Sequence, residues 1–195
     1  MESKQSLPLS NKWSIWYTSR KEKDYHIPYE SRIMELCTFD TMETFLKSYI
    51  HLKPIDKMEK NNDIAIFKKG YKPIWESCVD GGMWFYRFTN PKEQEVNYIW
   101  EKIVFALIGE QFDEPNILGV LLSIRSKETI IELWINYFNN DIIKNKVVDK
   151  FAEILSIDVK EKIFFKDIKK SMYDKSTLRG AESHMFKAGR KFTYG

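Results

Sequence analysis

The chain has 195 residues, with 31 Lys and Arg against 28 Asp and Glu, for a net charge of +3. That length suits one domain with a sizeable core, and 43% hydrophobic beside 30% charged residues excludes disorder throughout. No run of about 18 apolar residues could span a membrane, and the opening MESKQSLPLSNK lacks the apolar stretch of a secretory signal.

WSIWY, residues 13–17, sets Trp13, Ile15 and Tyr17 in alternation with Ser14 and Trp16, which predicts a strand. Residues 18–32 are polar and broken by Pro28, and read as a loop. FDTMETFLKSYIHL then reads as a helix opened by Asp40, with Glu43 three residues on as in a capping box. DIAIF (63–67) and MWFYRF (83–88) read as strands on either side of a turn-rich loop. QEVNYIWEKIVFALIGE is the clearest helix: Val96, Ile99, Trp100, Ile103, Val104 and Leu107 form one apolar face, Phe105 falls off it, and Gly109 follows as a stop. ILGVLLSI and TIIELWI make a hairpin joined through Arg125-Ser126-Lys127-Glu128, DIIKNKVVDKFAEIL a third amphipathic helix, and EKIFF a last strand. Strands outnumber helices without alternating with them, so α+β with an antiparallel sheet is expected rather than a dinucleotide-binding fold.

Cys37 and Cys78 form no metal spacing and no disulfide framework, and His26, His51 and His184 are scattered. No metal and no cofactor is expected, nor catalysis by a nucleophile. An intracellular, cytoplasmic protein is the economical reading. The charge is unevenly placed: residues 166–195 hold eight Lys and Arg against three acids, an excess larger than that of the whole chain. Such a stretch reads as a basic C-terminal tail, either a solvated terminus or a hand for phosphates. The expected organisation is an N-terminal arm (1–10), a domain (11–165) and this tail.

The loop KPIWESCVDGG raises a sharper question. Pro73 and Gly81-Gly82 punctuate it as turns, yet it carries Trp75 beside Glu76. An indole offers a flat π face and a carboxylate only acceptors. Together they suit a flat ligand with donors along one edge, and guanine, with N1–H and N2–H2 on one side, fits. A surface tryptophan packing on its own loop is the bland alternative.

The order of these pieces resembles the translation initiation factor 4E family, which binds the 7-methylguanosine cap of messenger RNA. The matching stretches are PLSNKWSIWY, FDTMETF, DIAIFKKGYKPIWE, GGMWF, IWEKIVFALIGEQFDE, LGVLLSIRSK and IELW, over about residues 7–165. The resemblance implies a curved antiparallel sheet, cupped like a hand, with about three helices on its convex back. It also implies a non-catalytic RNA-binding protein acting in translation initiation.

Residue by residue, the resemblance implies that Trp75 stacks on the cap base and Glu76 reads its guanine edge. Methylation at N7 makes the base a cation, so each aromatic face adds a cation–π contribution of about 2 kcal/mol when desolvated. The second stacking position, ten residues before FDT and usually tryptophan, falls on Tyr29, with Tyr25 or His26 as alternatives if the loop is shifted. Here the chain resembles the 4E-homologous repressor branch, which carries tyrosine then glutamate. Trp134 matches the tryptophan that approaches the N7-methyl group, Arg125 and Lys127 the pair that neutralises the triphosphate, and Asp63 a carboxylate that orients the arginine. Two residues apart, Arg125 and Lys127 point to one face if their segment is extended. Ile130 and Met83 stand where the family has basic residues, so Lys169, Lys170 and Lys175 of the tail are candidates to compensate. Trp13, Trp84 and Trp100 are read as core.

On the convex face the family binds a helical motif of initiation factor 4G or of a 4E-binding repressor. Pro8, Leu9, Met42, Leu46, Phe105 and Gly109 can form an apolar groove for it. Leu46 stands where the family has tryptophan, and Lys102 reverses the charge of a family acid. Three functions are therefore carried forward: a cap-binding initiation factor, a cap-binding repressor that does not engage initiation factor 4G, and a 4E-like scaffold without cap binding. A cap hydrolase would need clustered metal-binding carboxylates, which the sequence lacks.

Overall fold

A computed structural model of the chain describes residues 6–184, apart from 22, 23, 25, 90, 138–140 and 158–160. Its strands are β1 (Pro8–Ser19), β2 (Ile33–Thr41), β3 (Asn62–Lys68), β4 (Gly82–Thr89), β5 (Ile117–Ile124), β6 (Glu128–Ile135), β7 (Ile163–Asp167) and β8 (Glu182–His184). They form one curved sheet in the order β2-β1-β3-β5-β6-β4-β7-β8, with every neighbouring pair antiparallel. The helices are α1 (Met42–Tyr49), α2 (Glu93–Ile108), α3 (Asp141–Leu155) and α4 (Ile168–Asp174). The α+β reading holds.

The two-residue period of the strands sorts side chains onto two faces. One face, with Ile64 and Ile66 of β3, Trp84 of β4, Val120 and Leu122 of β5, and Ile131 and Leu133 of β6, forms the main core with Trp13, α2 and α3. Phe45 of α1 joins it, fully buried. Ala65, Phe67, Met83, Phe85, Leu121, Ile130 and Trp134 point the other way into a second cluster. The three expected helices cover the first face. The fourth, α4, was not expected; its Ile168 and Met172 pack into the second cluster. Apolar residues on both faces explain why the central strands read as continuous apolar runs rather than the one-sided alternation usual in antiparallel sheets.

Several local expectations are corrected. Strand β2 was not foreseen, and Phe39 and Asp40, assigned to the helix, lie in it. Phe39 pairs with Trp13 and is 2% exposed, so core burial outweighs local helix signals there. The cap of α1 is Thr41: its Oγ1 accepts the Thr44 N–H at 3.1 Å, and Thr44 Oγ1 accepts the Thr41 N–H at 3.1 Å. Glu43 instead accepts the Leu7 N–H at 3.2 Å. At the start of the chain, Pro8 already pairs with Thr41 across β1 and β2. Residues 166–184 fold back onto the sheet instead of leaving it. Lys166 is buried in β7, with its ammonium ion-paired to Asp174 at 2.5 Å and donating to the Arg179 carbonyl. Of the basic residues counted there, Lys187, Arg190 and Lys191 lie outside the described residues.

Candidate functional site

On the face opposite the three helices lies a cavity of about 360 Å³, lined by Arg20, Tyr29, Trp75, Glu76, Leu121, Glu132, Trp134 and Lys175 among others. Its floor is the centre of the sheet. Gly119 lies opposite Trp134 on the neighbouring strand, and a Cβ there would stand 2.6 Å from the Phe67 ring and 2.3 Å from the Ile66 carbonyl. The missing side chain lets Phe67 lie flat on the strand and meet Trp134 edge-on, with centroids 5.4 Å apart. That contact fixes the indole in place, and Trp134 is 2% exposed.

Trp75 and Glu76 open a short 3-10 turn, Trp75–Ser77, between β3 and β4. Trp75 packs partly against the second cluster while still lining the cavity. Glu76 is exposed, and no hydrogen bond or ion pair engages its carboxylate among the described residues. The turn is anchored by Cys78, whose N–H donates to the Trp75 carbonyl at 3.0 Å. The Cys78 thiol is buried and its pKa is pushed up to about 12 by that burial, so it is a packing group rather than a reactive one. Cys37 is free as well.

Tyr29 begins another 3-10 turn, Tyr29–Arg32, and also reaches the cavity. Its hydroxyl accepts from the Arg20 guanidinium at 2.7 Å, and that guanidinium lies over the ring, 4.7 Å from the centroid. Arg32 lies over the same ring at 5.3 Å. Burial raises the pKa of the tyrosine. The ring is therefore held where planar cations collect on its face. Tyr25 lies outside the described residues, and His26 is exposed and does not line the cavity.

Behind this wall is a cluster of charges. Asp63, 1% exposed on β3, ion-pairs with both Arg20 and Arg125, the latter at 2.7 Å. Arg125 also donates to the Ile124 and Asn62 carbonyls at 3.1 and 3.3 Å. Arg125 does not line the cavity itself: it lines a neighbouring hollow together with Lys127, which is exposed at the β5–β6 turn, and with Asp56 and Lys60. The segment that carries both is a turn rather than extended, closed by Arg125 N–H donating to the Glu128 carbonyl at 2.9 Å. Of the three lysines offered from the tail, only Lys175 lines the cavity, at the left-handed residue (φ 53°) that ends α4. Lys169 pairs with Asp80 at 2.5 Å and Lys170 with Glu182 at 3.1 Å.

Sequence reasoning missed two charged cavity residues. Arg20 sat in a polar run without a motif. Glu132 on β6 is 6% exposed, and its Oε2 accepts the Trp134 indole N–H at 2.8 Å. Burial pushes its pKa up to about 7; Asp63 adds to the rise, while the indole bond, Arg20 and Arg125 oppose it. The one available signal was Glu in IELW two residues before a tryptophan, a spacing that puts both on one face of a strand.

On the helix-covered face, the residues proposed as a groove are placed as follows. Pro8 is exposed and Leu9 half-buried at the start of β1, and Met42 opens α1 with its N–H on the Leu7 carbonyl at 2.8 Å. Leu46 and Phe105 are each 42% exposed, and Phe105 meets Phe45 edge-on at 5.6 Å. Gly109 caps α2, donating to the Phe105 carbonyl at 2.9 Å. Lys102 donates to Ser156 at 2.7 Å and lies over the Tyr98 ring.

A curved antiparallel sheet backed by helices, with an aromatic-lined cavity and two acids, Glu76 and Glu132, on its open side, defines a protein built to hold a flat ligand. Among the described residues no group of His, Cys, Asp and Glu is placed to bind a metal ion, and no helix is long and apolar enough to cross a membrane. The family is shown by comparison: residues 8–183 match the model of eukaryotic initiation factor 4E, and the chain belongs to that family. It is 34% identical over 167 residues to the eukaryotic translation initiation factor isoform 4E of Arabidopsis thaliana, covering 83% of this chain and 82% of that one. It is 31% identical to the eukaryotic translation initiation factor 4E1 of Drosophila melanogaster over 153 residues, 77% of this chain but 58% of that one. Among solved structures it resembles C. elegans eIF4E-3 in complex with the 4E-binding protein Mextli and a cap analog. That match has a TM-score of 0.79 and 27% identity, and covers 87% of this chain and 96% of the other.

Proposed function

We propose that this protein binds the 7-methylguanosine cap of messenger RNA and acts in translation initiation as a cytoplasmic, non-catalytic factor. The observation that carries the reading is the meeting of Trp75, Glu76, Tyr29 and Trp134 in one cavity from three separate parts of the chain. Stacking on Trp75 and Tyr29 accepts any base, and Glu76 selects guanine by accepting from N1–H and N2–H2. Arg125, oriented by Asp63, and Lys175 serve the triphosphate. Lys169 and Lys170 are engaged by Asp80 and Glu182 instead, while exposed Lys127 lies in the same hollow as Arg125.

On the opposite face, exposed Leu46 and Phe105, beside Pro8, Leu9, Met42 and Gly109, form the docking surface for a helical motif of initiation factor 4G or of a 4E-binding repressor. The structural relative bound to Mextli supports a partner of that kind. Leu46 offers less area than a tryptophan, and Lys102 prefers an acidic residue on the partner.

Titration with 7-methyl-GTP and with GTP, followed by quenching of tryptophan fluorescence, tests the ligand. Strong quenching by the methylated nucleotide alone is expected, and equal responses would refute cap recognition. Tyr29→Trp is expected to tighten 7-methyl-GTP binding by about threefold, since indole is the strongest of the aromatic partners for a cation. It also removes the hydroxyl that holds Arg20 over the ring. An unchanged or weaker Kd would take Tyr29 out of the stack.

A further inference from the structure

Within the cap-binding reading, one of the two acids that line the cavity has no assigned task. Glu132 is a carboxyl set among apolar neighbours: its cross-strand partners are Phe85 of β4 and Leu121 of β5, and Trp134 lies two residues on. Leucine or phenylalanine would pack there at lower cost, because a buried charge is expensive without a counter-ion. The obvious counter-ions are already committed, since Arg20 and Arg125 both ion-pair with Asp63. The hydrogen bond that holds Glu132 comes from a neutral indole. The residue nonetheless lines the cavity beside that same indole.

We propose that Glu132 adds to the cation–π preference of the aromatic walls in making this cavity select a positively charged base over a neutral one, giving up a proton as the cation enters. This rests on the cap-binding reading and deepens it: Glu76 reads the guanine edge, which methylation leaves in place, whereas Glu132 reads the charge that methylation adds. Protonated, the carboxyl is a neutral wall compatible with burial. When a 7-methylated base lies near Trp134, the carboxylate form is stabilised and the proton passes to solvent. No bond other than O–H breaks.

The groups facing Glu132 agree with this. Asp63 from β3 opposes its ionisation; Arg20 beyond β1, Arg125 at the β5–β6 turn and the Trp134 N–H favour it. Tyr29, Glu76 and Lys175 complete the titratable lining, and β4 and β5 contribute only apolar partners opposite it. Burial pushes the pKa of the carboxyl up to about 7, so a charge entering the cavity acts on it near neutral pH.

The experiment is calorimetric titration of the full chain with 7-methyl-GTP and GTP from pH 6 to 8.5, in buffers of different ionisation enthalpy. Glu132→Gln, and Glu132→Leu as a second variant, are run beside the wild type. Gln keeps the shape and the indole contact, and melting curves confirm that each variant folds. The wild type should release up to about half a proton at pH 7 on binding 7-methyl-GTP, and much less with GTP. In Glu132→Gln that release should vanish, and the methylated-to-unmethylated preference at pH 8 should fall by about tenfold, the equivalent of one pKa unit. The 7-methylated base loses its own N1 proton as pH rises, so the Gln variant supplies the baseline for the ligand. Undiminished preference and proton release in both variants would overturn the role of Glu132 while leaving cap binding intact. A wild type that does not prefer 7-methyl-GTP would refute the cap-binding reading, and this inference with it.

Discussion

Replacing Glu76 with alanine is expected to weaken 7-methyl-GTP binding by on the order of a hundredfold. Two charge-assisted hydrogen bonds of about 1.5–3 kcal/mol each are at stake. Glu76 is exposed on its turn, so the lower end applies, and about 3 kcal/mol corresponds to roughly 150-fold in Kd. GTP binding should fall by the same factor, because both ligands present the same edge. The melting temperature should not move, since no hydrogen bond or ion pair engages the carboxylate among the described residues. The pattern to look for in fluorescence titrations is a parallel loss for both nucleotides with stability intact. A variant that still binds 7-methyl-GTP within a few-fold of wild type would remove Glu76 from the role of guanine reader.

The second large effect is on the fold of the site. Asp63→Asn removes the one charge that holds two guanidiniums together on the buried floor. Breaking a buried ion pair from one side costs about 3–5 kcal/mol, because the partner charge is left uncompensated. The side chains of Arg20 and Arg125 are 39% and 25% exposed, so water recovers part of this. About 2–3 kcal/mol remains, or a fall in Tm of roughly 5–10 °C for a chain of this size. Arg20→Met alone should cost less, since Asp63 keeps Arg125. In the double variant the two losses should not add, as the pair acts through one contact. Cap binding should weaken as well, because Arg125 loses the carboxylate that aims it and Arg20 the anchor that keeps it against Tyr29. Fully additive losses in urea unfolding would mean that the cluster is not a coupled unit.

The binding reading and the charge cluster meet at Tyr29. Its ring already carries the Arg20 guanidinium at 4.7 Å, a flat cation of the same kind as a methylated base. Asp63 therefore governs both how firmly the arginine stays and how readily the ring can take another partner. Glu132, on the same floor, feels Asp63 and both arginines.

Much of this molecule was legible as a string. Helices α2 and α3 and strands β3 to β6 were readable because their apolar residues recur at helical spacing or run unbroken between turns, and such patterns are local. Trp75-Glu76 stood out because a turn-rich loop has no structural need for that pair. Strand β2 was missed for the opposite reason: at the sheet edge, five of its nine residues are exposed, so it carries little apolar pattern. Helix α4 is seven residues long and lay inside a stretch that net charge made look like a tail. Lys127 and Arg125 look equivalent in sequence, and only the turn between their strands brings one onto Asp63 and leaves the other exposed. Glu132 shows the limit best. In IELW its place in the alternation gives a face but not the environment of that face, and a glutamate there is read as solvated. What buries it comes from elsewhere in the chain: Leu121 and Phe85 beside it, the 73–76 turn, and Lys175 to Thr177 after α4 closing the same cavity. Segments more than 40 residues apart in sequence set the dielectric around one carboxyl, and no local pattern encodes that.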